Sequence, residues 1–121
     1  MALRQMLLEM GMGVDLHGQD DTKAARRAVE NAIRCNSINF IRHMVKDPNE
    51  IQVHVTLGVP HPEKVDKQKV LDVLPFGKGS LEAVLGGLEI PCGKDALGES
   101  TDDSTIIANA AITVSVDLPS S

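Results

Sequence analysis

The sequence predicts an α+β domain, a single two-layer α/β sandwich with helices on one face of a mixed sheet. Three observations carry that expectation. The stretch EIQVHVTLGV, residues 50–59, puts Ile51, Val53, Val55, Leu57 and Val59 on one side and Gln52, His54, Thr56 and Gly58 on the other, the period of a half-buried strand. TKAARRAVENAIR, residues 22–34, instead lines up Ala24, Ala25, Ala28, Val29, Ala32 and Ile33 as one helical stripe, with Lys23, Arg26, Arg27, Glu30 and Arg34 opposite. Strand-like and helix-like segments then alternate in the order β-α-(α)-β-α-β-β, which suits a layered domain.

Taken in order, residues 3–10 carry Met6, Leu8 and Met10 at period two and read as a strand. GMGVDLHGQDD, residues 11–21, reads as a loop, and Asp20 or Asp21 is placed to cap the alanine-rich helix. SINFIRHMVK, residues 37–46, reads as a second short helix with Ser37 as its cap, ended by DPNE. After the strand at 50–59, PHPEKVD is a proline-bounded turn. DKQKVLDVL is a short helix capped by Asp66 and stopped by Pro75 and Gly77. SLEAVLGGLEI reads as one strand in which Gly86-Gly87 marks a bulge or a close backbone approach. Residues 92–104 are a polar loop. TIIANAAITVSVDL is a last strand apolar enough for a central position, and residues 119–121 are a tail to a domain spanning 1–118.

Composition narrows the function classes. A chain of 121 residues with 42% apolar and 24% charged residues is an ordinary globular domain. It has two Phe, no Tyr and no Trp, and a formal net charge of -5. Stacking platforms for bases are missing and a phosphate backbone is repelled on average, so nucleic acid is not an expected partner. Cys35 and Cys92 form no CxxC pair, and the N-terminal stretch is a poor secretory signal. No run is long and apolar enough to span a bilayer. The expectation is a cytoplasmic protein with reduced thiols and no membrane partner.

The residues able to carry chemistry cluster in the glycine-rich segment. It is not a dinucleotide-binding turn: G-x-G-x-x-G needs glycine at Leu16, and no G-K-[ST] follows. Three aspartates would also repel an anion from the helix N-terminus. A cation, or a polyhydroxyl or amide ligand, fits better. Asp15 and His17 lie two apart, with Gln19, Asp20 and Asp21 in reach, and carboxylate with imidazole suits zinc, manganese or iron(II). His61 and Glu63 of PHPE would complete such a divalent-metal site if the first two strands are neighbours. The same residues suit acid–base work, with His17 as general base oriented by Asp15. His54 is a further candidate on the open sheet face, and His43 is assigned no role. Cys92 is either a nucleophile or a passive turn residue. Asn109, inside an apolar strand, must find hydrogen-bond partners.

The motif Gly11, Gly13, Asp15, His17, Gly18 resembles the signature of the Lin0512 family, short bacterial and plant proteins of unknown function with a G-x-G-x-D-x-H-G motif. Similarity continues through TKAARRAVENAI, NSI, VHVTLGVPHPEKVD and IANAAITV, so it covers nearly the whole chain. The resemblance implies no particular activity. The element order is similar to that of the YjgF and Bacillus-type chorismate mutase folds, which are trimers with clefts between subunits; a shared topology does not transfer function. Ring-opening amidohydrolases are a more distant comparison, and the LGG at 85–87 lacks the serine of their S-G-G motif.

The functional expectation is therefore a small-molecule site, metal-assisted or not, at a subunit interface. Gly11, Gly13, Gly18, Gln19, Asp20, His61 and Glu63 would contact the ligand, and Asp15 and His17 would supply any proton transfer or hydrolysis. Asp15, His17, His61 and Glu63 are the metal candidates. The rival expectation is a non-catalytic regulatory or structural module. The second face of the sheet would carry Gln5, Glu9, Gln52, His54, Thr56, Asn109, Thr113 and Ser115. A single-layer sheet in so short a chain is economically covered by self-association, so a homo-oligomer is expected, with a trimer as the first choice.

Overall fold

The computed structural model of the chain describes residues 2–16, 18–34, 50–75, 77–91 and 104–118. It is an α+β fold. The elements are β1 (Ala2–Asp15), α1 (Asp21–Arg34), β2 (Ile51–Val59), a 3-10 turn (Pro62–Lys64), α2 (Lys67–Leu71), β3 (Lys78–Leu85), β4 (Leu88–Pro91) and β5 (Ser104–Leu118). The five-stranded sheet runs β1-β5-β2-β3, with β4 also paired to β5. β5 is antiparallel to β1, β2 and β4, whereas β2 and β3 are parallel. The helix expected over residues 37–46 and the polar loop expected from residue 92 lie outside the described residues, apart from Ser104 at the start of β5.

The core lies between α1, α2 and the sheet. It is formed by Ala24, Ala25, Ala28, Val29 and Ala32 of α1, the odd residues of β2, Val70 of α2, and Ile106, Ala108, Ala110, Ile112, Val114 and Val116 of β5. The alternation read in residues 51–59 is thus the observed division, with all five odd side chains buried. β5 is central, as its apolar run requires, and its even residues face the helices. Asp66 caps α2 by accepting from the Lys69 amide at 3.3 Å. Asp66→Ala should therefore lower stability by about 1 kcal/mol, the usual worth of such a cap. Urea denaturation at an unchanged slope would measure it.

The structure differs from the expectation in three respects, two of them in β1. β1 does not end at residue 10 but continues through the glycines to Asp15. Its large apolar residues also face the other way: Leu8 and Met10 are exposed at 53% and 72%. Glu9, expected on the second face, pairs instead with Ile112 of the buried set. The cause is the closeness of α1. A Cβ at Gly11 would lie 2.4 Å from both the Ala28 carbonyl oxygen and the Ala32 nitrogen, and one at Gly13 would lie 2.2 Å from the Ala24 carbonyl oxygen. At those two positions only glycine fits, so Leu8, Met10 and Met12 point away from the helix, while Leu7, ahead of the glycines, packs against the core.

The third difference is the segment 80–90, which is two strands and not one. β3 pairs parallel with β2 as far as Leu85, and the chain then crosses the end of β2. The Gly86 amide donates to the Val59 carbonyl oxygen at 2.9 Å. Gly87 has φ +63, and a Cβ there would come within 2.1 Å of the Ile107 carbonyl oxygen. The expected close backbone approach is present, and it moves the chain from one strand position to the next: β4 pairs with β5 just beyond the point where β2 stops.

Candidate functional site

The carboxyl end of β1, the first turn of α1 and the exit of β2 meet at one end of the sheet. Asp15, the last residue of β1, is only 2% exposed. Its Oδ2 accepts the Asp20 amide at 3.0 Å, closing the intervening loop, and Gly18 and Gln19 turn that loop with φ of +104 and +53. Its Oδ1 lies 3.6 Å from Lys23 Nζ and 3.8 Å from Arg27 Nη1. A buried carboxylate needs such partners, and here α1 provides them one turn apart. The acidic cluster that argued against an anion is thus largely engaged within the protein.

The tandem aspartates divide their work. Asp20 is the cap, its Oδ1 accepting the Lys23 amide at 3.1 Å. Asp21 opens the helix with a side chain that has no solvent exposure, and it turns away toward the exit of β2. There its Oδ2 accepts the His61 amide at 2.9 Å, and its Oδ1 lies 3.0 Å from His61 Nδ1. A carboxylate can only accept, so Nδ1 carries the proton in this contact. Nε2 of the same ring faces Glu89 Oε2 at 3.7 Å, and that oxygen accepts Ser104 Oγ at 3.2 Å. The His61 side chain is 28% exposed, so solvent reaches a ring that is held from both ends.

Thr22 ties the same turn to the helix. Its Oγ1 accepts the Asp66 amide at 2.9 Å and donates to the Lys64 carbonyl oxygen at 3.4 Å. On the outer side of α1, Thr22, Lys23, Arg26, Arg27 and Lys69 line an open groove of about 480 Å³, with Asp20 and Glu30 as its acidic members.

The residues singled out from sequence are therefore placed as follows. The glycine segment and PHPE do come together, through Asp21 and His61. Gly11 and Gly13 are strand residues whose missing side chains admit α1, which corrects their reading as loop positions. Gly18, Gln19 and Asp20 form the exposed loop, and Glu63 is exposed on the 3-10 turn. His17, His43, Cys35 and Cys92 lie outside the described residues. Among the described residues no group of three or more His, Cys, Asp or Glu is arranged to hold a metal ion. His54 makes a 2.8 Å contact from Nδ1 to Ser80 Oγ on the far face of the sheet. Sequence reasoning places Asp21 as a cap or within reach of Asp15 and His17, not as the partner of His61, and does not single out Glu89. One signal was available: a helix needs one cap residue, so the second of two adjacent aspartates is released for another partner.

A family model described as a conserved hypothetical protein, Lin0512_fam, matches residues 5–114. Comparison with curated proteins finds no match. Among solved structures, the chain is similar to an FtsZ-like protein of unknown function from Nostoc punctiforme, at 40% identity and a TM-score of 0.80, covering 98% of this chain and 99% of that one. Among the described residues no helix is long and apolar enough to cross a membrane.

Proposed function

The chain belongs to the Lin0512 family of conserved hypothetical proteins, and from that premise we propose that the junction of β1, α1 and the β2 exit turn binds a small molecule on which the His61–Asp21 pair moves a proton. The observation that carries the reading is the buried Asp21 carboxylate bonded to both the amide and Nδ1 of His61. A carboxylate on Nδ1 fixes the tautomer and ring orientation and leaves Nε2 to take or deliver a proton. Glu89, beside Nε2, stabilises the imidazolium that proton uptake creates. The reading rests on this pair and not on Asp15 with His17, because both Asp15 oxygens face groups of the protein.

The test is a metabolite screen by thermal shift, with every hit followed for conversion by NMR. A substrate should bind wild-type protein and the His61→Gln variant with similar affinity, while its conversion falls by about two to four orders of magnitude in the variant, the usual contribution of a positioned acid–base group. Conversion that survives His61→Gln unchanged sinks the proton-transfer step. Hits that bind but are never converted favour a binding module.

A further inference from the structure

The face of the sheet turned away from α1 holds an unusual share of apolar surface, and we infer that it is the contact surface for a second copy of this chain, packed sheet to sheet about a two-fold axis. Leu8, Met10, Met12, Val84, Leu88 and Ile90 are exposed by 38 to 72%. Cross-strand register puts them on this one side, opposite Thr113, Ala111, Asn109, Gly58, Ile107 and Thr105 respectively. Single exposed apolar residues need no explanation, but a contiguous apolar patch marks an interaction surface.

Three features select a second copy as the occupant. The first is shape. Met10 and Met12 stand beside small residues, and with Gly58, Ala111 and Asn109 they line a shallow concavity of about 610 Å³. A two-fold axis presents each copy's methionines to the other's hollow, and flexible thioethers fill irregular gaps well. The second is charge. Within the paired segments the outward positions of β1 from Leu8 to Val14, of β4, and of β5 from Thr105 to Ser115 include no Asp, Glu, Lys or Arg; Lys78 and Glu82 stand only on the outer strand, β3. A neutral face suits its own copy. It offers no basic rim to an anionic lipid surface, which a chain of net charge -5 is repelled from.

The third is area. Four strand positions spaced by ~4.8 Å and about nine residues rising ~3.3 Å each give roughly 600 Å² in projection. Pleated side chains raise the accessible area toward the roughly 800 Å² that each partner contributes to a standard interface. Growth along the β1 edge is meanwhile blocked by α1. The Met12 amide donates to Asn31 Oδ1 at 3.0 Å, and Arg27 Nη1 donates to the Val14 carbonyl oxygen at 2.6 Å. Strand addition is thus hindered at the β1 edge around Met12 and Val14, beside the methionines of the face.

Sedimentation velocity on the purified full chain tests this. Wild type should sediment at twice the mass of one chain. Met10→Lys with Met12→Lys should weaken the dimer at least a hundredfold, while circular dichroism stays native because both side chains are exposed in the single chain. Leu88→Lys, on another strand of the same face, is the second variant should the first lose its fold. Leu85→Lys, 80% exposed but of the opposite strand phase, should leave the dimer intact. A wild-type monomer, a trimer, a dimer indifferent to lysine at positions 10, 12 and 88, or equal disruption by Leu85→Lys would each overturn the inference.

Discussion

Gly13→Ala is expected to lower the stability of the chain by about 3 kcal/mol, at or above the upper end of what one extra methyl in a packed core costs. The added carbon would meet the Ala24 carbonyl oxygen at 2.2 Å, the Ala28 nitrogen at 2.3 Å and the Arg27 carbonyl carbon at 2.7 Å. All three are backbone atoms of a helix, so no rotamer change relieves them, and α1 must lift from the sheet. Lifting it loosens the contacts of Ala24, Ala28 and Ala32, each fully buried. For a domain of this size the loss corresponds to a fall in Tm on the order of 10 °C. Because the clash is with backbone, shortening the facing side chain by Ala28→Gly should not rescue it.

Gly58→Ala is the control within the same sheet. Its added carbon would sit 3.6 Å from Gly86 Cα, an ordinary contact, so the change should stay within about 1 kcal/mol of wild type. Equilibrium urea unfolding of both variants measures the contrast. If Gly13→Ala proved as mild as Gly58→Ala, the glycine pair would not be set by helix approach, and a ligand at that position would again be its best explanation.

That contrast bears on how much could be read in advance. The strand at 51–59 and the helix at 21–34 were legible because their patterns are local: five β-branched or leucine side chains at period two, and an alanine stripe against a charged face. The continuation of β1 was hidden because glycine ordinarily interrupts a strand. Yet Gly11, Gly13 and Asp15 keep period two, and Ala24, Ala28 and Ala32 repeat every four residues. Read together, these two small-residue ladders describe a close strand–helix contact. Read separately, they describe a loop and a helix. The reversed orientation of Leu8 and Met10 follows from the same contact and could not be seen before it.

The site was legible only in part, for a different reason. Asp21 and His61 are forty positions apart, and no local rule brings one to the other. Their meeting depends on β2 running antiparallel to β5, so that its carboxyl end arrives beside the first turn of α1. PHPE was recognised as chemically suggestive from its residue types, but Glu63, its more conspicuous acid, is exposed on the turn. The carboxylates that hold His61 come from α1 and β4. The split of residues 78–91 into two strands is what carries Glu89 to that place, through a crossing at Gly86-Gly87 that the sequence marks as a bulge or a close backbone approach but not as a change of strand.

Asp21→Ala should cost about 3 kcal/mol. The carboxylate is fully buried and accepts two bonds from one residue. Bonds to a charged acceptor contribute roughly 1.5–3 kcal/mol, and a partly buried donor left without a partner adds its own penalty. A smaller term of roughly 0.3–1 kcal/mol is lost with the negative charge in the first helical turn. Asp21→Asn should cost less, about 1–2 kcal/mol, because its amide oxygen still accepts one of the two bonds while its NH₂ opposes the other donor. Stability alone would not separate a strut from a positioning residue, since either role predicts this order. The tautomer of His61 does separate them. Long-range proton–nitrogen spectra should show Nδ1–H in wild type and a mixture or reversal in Asp21→Asn, whereas a strut alters the melting temperature and leaves the ring's proton where it was. A wild-type ring protonated on Nε2 alone would contradict the orientation on which the proposed chemistry depends, whatever the stability of either variant.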